Sequence, residues 1–386
     1  MIYLDNNATT RPAPAVREVM TMLFEQAWGN PSSQHSAGKE ARRVVEEARA
    51  ELAALIGAEP EEIVFTSGGT ESLNTALHSA IQAFPEHRRL VITATEHSAT
   101  AMPCAFWESQ GLELIRVPVD RQGLPDVELF SAAVRECPSI ASIIWANNET
   151  GVINPMPELA SRAREAGAVF ISDAVQAVGK IPVDVSSLPI SMLALSGHKF
   201  HGPKGTGALY VNRRLRFLPL IHGGGQESHR RSGTENVPGI AGLGRAASLA
   251  LGLPDPAIAS MRDRFEAEVR KRQPKAIVNG AGAPRLPNTS NLTFPGADGE
   301  AILIILDQAG ICVSPGSACG SAARNPSPVL TAMGRPPELV KSSVRFSFSR
   351  ENCEAEVDQV LEQLDRALDR ISSVLSADEG PVIRRG

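Results

Sequence analysis

One lysine stands out as a group placed for chemistry. Lys199 lies in Ser196-Gly197-His198-Lys199-Phe200-His201-Gly202-Pro203-Lys204-Gly205-Thr206-Gly207, with the mostly apolar run 190–195 before it and Ala208-Leu209-Tyr210-Val211 after it. An amine flanked by histidines and glycines, pinned between two strands, suits a Schiff-base link to an aldehyde better than it suits solvated surface.

Other candidates follow strand-like runs upstream. Thr66-Ser67-Gly68-Gly69-Thr70-Glu71-Ser72 comes after Ile63-Val64-Phe65 and opens a helix. Its small residues let the backbone approach an anion, and free N–H groups at the helix start, with the Thr70 hydroxyl, can donate to it. Other strand–glycine–helix turns share this pattern, and the P-loop motif is absent. His97, in Thr95-Glu96-His97-Ser98, follows Leu90-Val91-Ile92; a lone histidine is more often structural. Asn147-Asn148-Glu149-Thr150-Gly151 follows Trp145 and reads equally as a turn. Asp173 ends the run Val169-Phe170-Ile171-Ser172, where a helix N-cap is the competing role.

The conjunction is more informative than any member. A phosphate cradle, a flat ring partner, an acid and a later lysine, each at a strand end, meet the needs of pyridoxal phosphate. The phosphate takes the helix start and the lysine takes the aldehyde. The carboxylate keeps the pyridine nitrogen protonated, so the ring can draw in electrons.

The elements that position these residues alternate. Strand candidates are 63–65, 90–92, 114–117, 140–145, 169–171, 192–195 and 208–211, with helical stretches near 70–83, 99–109, 126–136 and 157–166 between the earlier ones. Near-continuous apolar strands alternating with helices predict an α/β fold, its mostly parallel sheet covered on both faces. Ligands of such sheets bind beyond the carboxyl ends of the strands. Before this region, Ala41, Val44, Val45, Ala48, Leu52 and Leu55 recur at helical spacing, and Gly57 with Pro60 stops the helix. The polar stretches Asn6-Asn7-Ala8-Thr9-Thr10 and Gly29-Asn30-Pro31-Ser32-Ser33 read as loops or as a pocket rim. Helices follow near 237–251 and after the Asp255-Pro256 cap. Strands near 290–294 and 344–348 and a helix near 300–308 form an α+β segment. A last helix carries Val357, Val360, Leu361, Leu364, Leu368 and Ile371 on one stripe.

Bulk properties narrow the classes. The 386 residues fit one large domain, 16–252, and a smaller one built from 1–15 and 253–386. A net charge of −5 gives no global basic field for nucleic acid or anionic membrane. No run of 18 apolar residues and no basic leader is present, so a cytoplasmic location is expected. Five cysteines, at 104, 137, 312, 319 and 353, form no C-x-x-C pair. Free thiols fit better than structural zinc or disulfides, and no metal site is expected.

Across nearly its whole length the chain resembles the cysteine desulfurases of the class V aminotransferase family, in the group that supplies iron–sulfur clusters. The resemblance rests on Tyr3-Leu4-Asp5-Asn6-Asn7-Ala8-Thr9-Thr10, Gly29-Asn30-Pro31-Ser32-Ser33, Thr66 to Ser72, Thr95-Glu96-His97, Asn147 to Gly151, Ser172-Asp173-Ala174-Val175-Gln176, Ser196 to Gly207, Arg231-Ser232-Gly233-Thr234-Glu235-Asn236, Gly316-Ser317-Ala318-Cys319 and Ser343-Val344-Arg345-Phe346-Ser347. It implies the aspartate-aminotransferase-like fold (fold type I), with a seven-stranded sheet in the large domain and the Cys319 loop in the small α+β domain.

The resemblance also implies roles. Lys199 would link pyridoxal phosphate and shuttle the proton at the substrate Cα. Asp173 would pair with the pyridinium nitrogen, Gln176 with the ring hydroxyl oxygen, and His97 would stack on the ring and act in catalysis by transferring protons. Gly69, Thr70, Ser196 and His198 would hold the phosphate, joined by Thr234 from the neighbouring subunit of a homodimer. Arg345 would grip the carboxylate of L-cysteine, with Asn148 assisting near ring and substrate. Cys319 would take the sulfur as a persulfide, leave alanine, and pass the sulfur to an acceptor such as an iron–sulfur scaffold. Gly320, where threonine is common, and Pro328, where an aromatic or histidine is usual, depart from the pattern near that cysteine. The alternatives are a selenocysteine lyase, an aminotransferase, or a cofactor-binding scaffold without catalysis.

Overall fold

The apolar runs between residues 63 and 211 assemble into one seven-stranded sheet. A computed structural model describes residues 1–252, 254–315 and 326–378, the last five of them as backbone only. After the short β1 (Ile2–Tyr3), the sheet comprises β2 (Ile63–Thr66), β3 (Arg89–Thr93), β4 (Glu113–Val117), β5 (Ser139–Ile144), β6 (Val169–Asp173), β7 (Met192–Ser196) and β8 (Gly207–Val211). The strand order is β2-β8-β7-β6-β5-β3-β4. Only β8 runs against the rest, pairing antiparallel with β2 and β7.

Side-chain alternation divides the core. Phe65, Val91, Ile143, Phe170 and Leu193 face helices such as Ser36–Ile56 and Val237–Ala250. Val64, Leu90, Ile92, Ile171 and Met192 face Gly69–Ala83 and Ser98–Ser109 on the other side. Burial on both faces explains why these strands read as continuous apolar runs. The edge strand β4 is the exception, with Glu113 and Arg116 exposed.

A second sheet lies later in the chain. The strands β9 (Ile277–Val278), β10 (Thr289–Thr293), β12 (Ser314–Pro315) and β13 (Ser343–Ser347) pair in the order β12-β13-β10-β9, while β11 (Ile311–Cys312) pairs in parallel with β1. Helices Pro256–Arg272, Gly299–Gln308 and Glu354–Asp378 pack onto this sheet through a separate apolar cluster, where the Phe265 and Phe346 rings lie 4.8 Å apart. Ile2 and Leu4 belong to the same cluster. Predicted boundaries shift by a residue or so where caps intervene: Asp126 and Asp255 cap their helices, and Gly57 closes one in the left-handed conformation.

Candidate active site

The carboxyl ends of five strands of the large sheet open on one cavity of about 210 Å³. Gly69 and Thr70 follow β2, His97 follows β3, Asn148 follows β5, Asp173 ends β6, and Ser196 ends β7 just before His198 and Lys199. Gln176 lies one turn past Asp173, and Arg345 reaches in from β13 of the second sheet. All ten residues line the cavity. Thr234 does not; it is exposed on the loop after Gly225. Cys319 lies outside the described residues.

The two cationic ends of the site are held differently. The Lys199 amine donates to the backbone carbonyls of Asn7 and Ala8, each at 2.8 Å. The Arg345 guanidinium is fully buried; Nη1 donates to the Asn148 carbonyl at 3.0 Å and Nη2 to Asp5 Oδ1 at 2.6 Å. Its Nε is buried and has no partner among the described residues. An orphaned donor of this kind costs stability, so a guanidinium held here with Nε unmet is set up for an anion in the cavity.

Electrostatics separate the titratable groups. Asp173 is buried, and burial raises its pKa, opposed by His97, by the N–H of Val175 and by Lys199. No helix begins at Asp173, so its N-cap reading falls away; its Oδ1 accepts from Val175 N at 3.0 Å within a turn. Burial drives the His198 imidazole down to about 4, helped by Lys199 and other lysines, so the ring is neutral near pH 7. Its Nδ1 lies 3.1 Å from Thr9 Oγ1. His97 caps its helix by accepting from Ala99 N at Nδ1, which puts the proton of the neutral ring on Nε2. Beside it, Glu96 is buried, and burial pushes its carboxyl up to about 8. Glu96 Oε1 accepts from Thr93 Oγ1 at 2.7 Å and Ile144 N at 2.9 Å, while Oε2 has no partner among the described residues.

The polar rim expected of residues 6–10 is present, and its centre is a residue the motifs did not single out. The Asn7 carbonyl accepts from Lys199 and, at 2.8 Å, from Gln176 Nε2. Its side-chain oxygen accepts from Lys180 Nζ at 2.9 Å and Asn288 Nδ2 at 3.0 Å. Its amide nitrogen donates to Thr289 Oγ1 at 2.8 Å and the Asn148 carbonyl at 3.2 Å. The only available signal was a run of small polar residues, and such runs are usually turns. Gly29 to Ser33, by contrast, does not line the cavity.

Pyridoxal phosphate fits this donor set. Helix Gly69–Ala83 has no side-chain cap, so its first N–H groups remain for an anion. A Cβ at Gly69 would meet Val175 Cγ2 at 2.5 Å, so a larger residue would push the helix start away from the cavity wall. A buried carboxylate across the cavity calls for a cationic partner, and the Lys199 amine supplies the linking group.

The flanks of the segment that contains Cys319 are tied to this site. Ser314 Oγ donates to Asp5 Oδ1 at 2.8 Å, the same oxygen that holds Arg345. Ser327 Oγ donates to Glu149 Oε2, next to Asn148. The Thr234 loop is also anchored. Arg49 pairs with buried Glu227 through bonds of 2.8 and 2.9 Å, and Glu227 accepts from Phe65 N at 2.8 Å. Glu227, Ser228 and His229 all take positive φ there.

Comparison with known proteins gives the family. The aminotransferase class-V family model matches residues 2–360. A curated cysteine desulfurase of Cereibacter sphaeroides is 48% identical over 375 residues, covering 97% of each chain. A solved NifS-like protein superposes with a TM-score of 0.89 at 35% identity, covering 95% of this chain and 99% of its own. SspA, solved in complex with cysteine, gives 0.80 at 34% identity, covering 90% and 99%. The cavity at the strand ends, its lysine and these full-length matches place the chain in the pyridoxal phosphate-dependent class V aminotransferase family, among the cysteine desulfurases.

Proposed function

We propose that this chain is a cysteine desulfurase that converts L-cysteine to L-alanine and transfers the sulfur to Cys319 as a persulfide. The observation that carries the reading is the pairing, across one cavity, of the Lys199 amine with a buried guanidinium whose Nε is unmet. Gly69, Thr70, Ser196 and His198 would hold the cofactor phosphate, joined by Thr234 from the second subunit of a homodimer. Asp173 would serve the ring nitrogen, Gln176 the ring oxygen, and His97 the ring face. When bound, the cofactor supplies an electron sink that lets the substrate Cα proton leave.

The protein groups do the rest. Arg345 takes the substrate carboxylate in its fork, with Asn148 beside it. Lys199 accepts the Cα proton and returns it. The Cys319 thiolate then attacks the substrate sulfur. An S–S bond forms, the C–S bond breaks with its electron pair staying on carbon, and that carbon takes a proton. One cysteine and one enzyme thiol thus become one alanine and one enzyme persulfide.

The persulfide then serves an acceptor protein, such as an iron–sulfur scaffold. Ser314 and Ser327 support this reading, since they tie both flanks of the cysteine segment to residues at the cavity. The free thiols of Cys104, Cys137, Cys312 and Cys353 suit a reducing cytoplasm, and no helix among the described residues is long and apolar enough to cross a membrane. The separate apolar clusters of the two sheets support a large domain of 16–252 and a small one of 1–15 with 253–386, with Ala13 and Leu286 packing across that division into the first. The test is incubation with L-cysteine in the absence of reductant. The wild type yields alanine and persulfide in equal amounts, and Cys319→Ala yields neither; equal turnover by the variant rejects the persulfide route.

A further inference from the structure

Lys180 is a second amine at the site, and neither the motifs nor the proposed reaction uses it. It follows the turn after Gln176, part-buried, with its stem beside a small cavity of about 40 Å³ that Lys199 also borders. Among the described residues no carboxylate holds it: its Nζ donates to Asn7 Oδ1 at 2.9 Å and to Gln176 Oε1. Burial, Lys199 and Arg345 together push its pKa well below that of an ordinary lysine. A surface role does not explain an amine that feels two other cationic side chains and, among the described residues, is bonded to neutral oxygens.

We propose that Lys180 is a positioning residue that fixes the Gln176 amide so that one N–H faces the cofactor ring. The reasoning is a matter of donors and acceptors. A carbonyl can only accept, so the Gln176 atom that meets the Asn7 carbonyl must be the nitrogen, and the atom left to meet Lys180 is the oxygen. The Nε2–H to Asn7 O bond, 2.8 Å, uses one of two amide hydrogens. The second remains for the cavity that Gln176 lines. Lys180 and the Asn7 carbonyl thus clamp the amide at both ends. The clamp works whether Lys180 is an amine or an ammonium, because either form has enough hydrogens for both acceptors. Without Lys180, the Gln176 oxygen loses its partner at a buried position, and the amide is free to turn toward another donor. Asn7 Oδ1 keeps its bond from Asn288, so Gln176 bears the loss.

The inference rests on the proposed use of pyridoxal phosphate, and the experiment separates the two. Purified wild type, Lys180→Met, Gln176→Leu and the double variant are stripped of cofactor. Pyridoxal phosphate affinity is then measured by equilibrium dialysis, and the absorbance maximum of the bound cofactor is recorded. Lys180→Met is expected to weaken binding about fivefold, the scale of one hydrogen bond. It is also expected to shift the maximum in the same direction as Gln176→Leu, and the double variant should go no further than Gln176→Leu alone. A Lys180→Met protein with wild-type affinity and spectrum overturns the proposal, as do fully additive effects. Lys180→Leu is carried in parallel, with circular dichroism melts of the stripped proteins; if neither variant folds, Lys180 serves the core rather than the amide and the proposal fails. A wild type with no cofactor band abolished by Lys199→Ala would instead overturn the proposed function.

Discussion

Arg345 and Asp5 are joined by a 2.6 Å bond between a fully buried guanidinium and a carboxylate 340 residues away. That bond occupies one arm of the fork and neutralises its charge, and the Asn148 carbonyl fixes the face. Three of its five N–H groups, that of Nε among them, have no partner among the described residues, so the fork can still take a substrate carboxylate. Arg345→Lys keeps a positive charge but loses the planar fork. We expect kcat/KM for L-cysteine to fall about 100-fold, the scale of a charge-assisted hydrogen-bond pair, with cofactor absorbance unchanged. Steady-state kinetics with alanine detection would check this, and a drop under threefold would refute the assignment.

Glu96 predicts a pH-dependent stability. Its carboxyl is raised from 4.5 to about 8 by burial, so between those values the folded protein holds a proton that the unfolded chain has lost. Folded-state stability therefore falls as pH rises through that window, and levels off above it. Glu96→Gln keeps an oxygen for Thr93 and Ile144 and cannot ionise. The melting temperature of the cofactor-free variant should exceed that of the wild type by a margin that grows by several degrees from pH 5 to pH 8. Parallel curves across that range would dismiss the argument.

The Arg49–Glu227 pair predicts a large cost for a one-atom change. Both side chains are at least nine-tenths buried, and Glu227 also accepts from Phe65 N. Glu227→Gln leaves Arg49 with only the exposed Glu46 as counter-charge. Breaking a buried pair on one side costs about 3 kcal/mol. Urea unfolding should show a loss of that order, and Arg49→Met combined with Glu227→Leu should recover part of it. A single-variant loss below about 0.5 kcal/mol, the size of an ordinary surface change, would contradict this reading.

The large sheet was legible because strands buried on both faces leave continuous apolar runs, and the site because ligand groups follow the ends of those runs. Gly69, Thr70, His97, Asp173 and Lys199 each sit where a run of apolar residues stops, so local pattern raised them as candidates and the fold brings them to one cavity. Asn7 and Lys180 were hidden for the opposite reason. Asn7 acts through partners at 148, 176, 180, 199, 288 and 289, which no local pattern displays. Lys180, between Gly179 and Ile181, has the sequence surroundings of an ordinary exposed lysine. Thr234 is exposed and does not line the cavity, so nothing in its own chain marks it out.

Asn7 also sets an order of events during synthesis. Its backbone N–H is met by the Ser347 hydroxyl at 3.0 Å, and its side chain by Asn288 and Thr289. A ribosome that has released the first sheet has therefore not yet made the residues that lock the carbonyl facing Lys199. The large sheet can pack early, but the lysine's surroundings are completed only when the chain's seventh residue meets its three hundred and forty-seventh. Contacts of such sequence separation form late and slowly. Nascent chains stopped before that point would carry the lysine without its finished pocket.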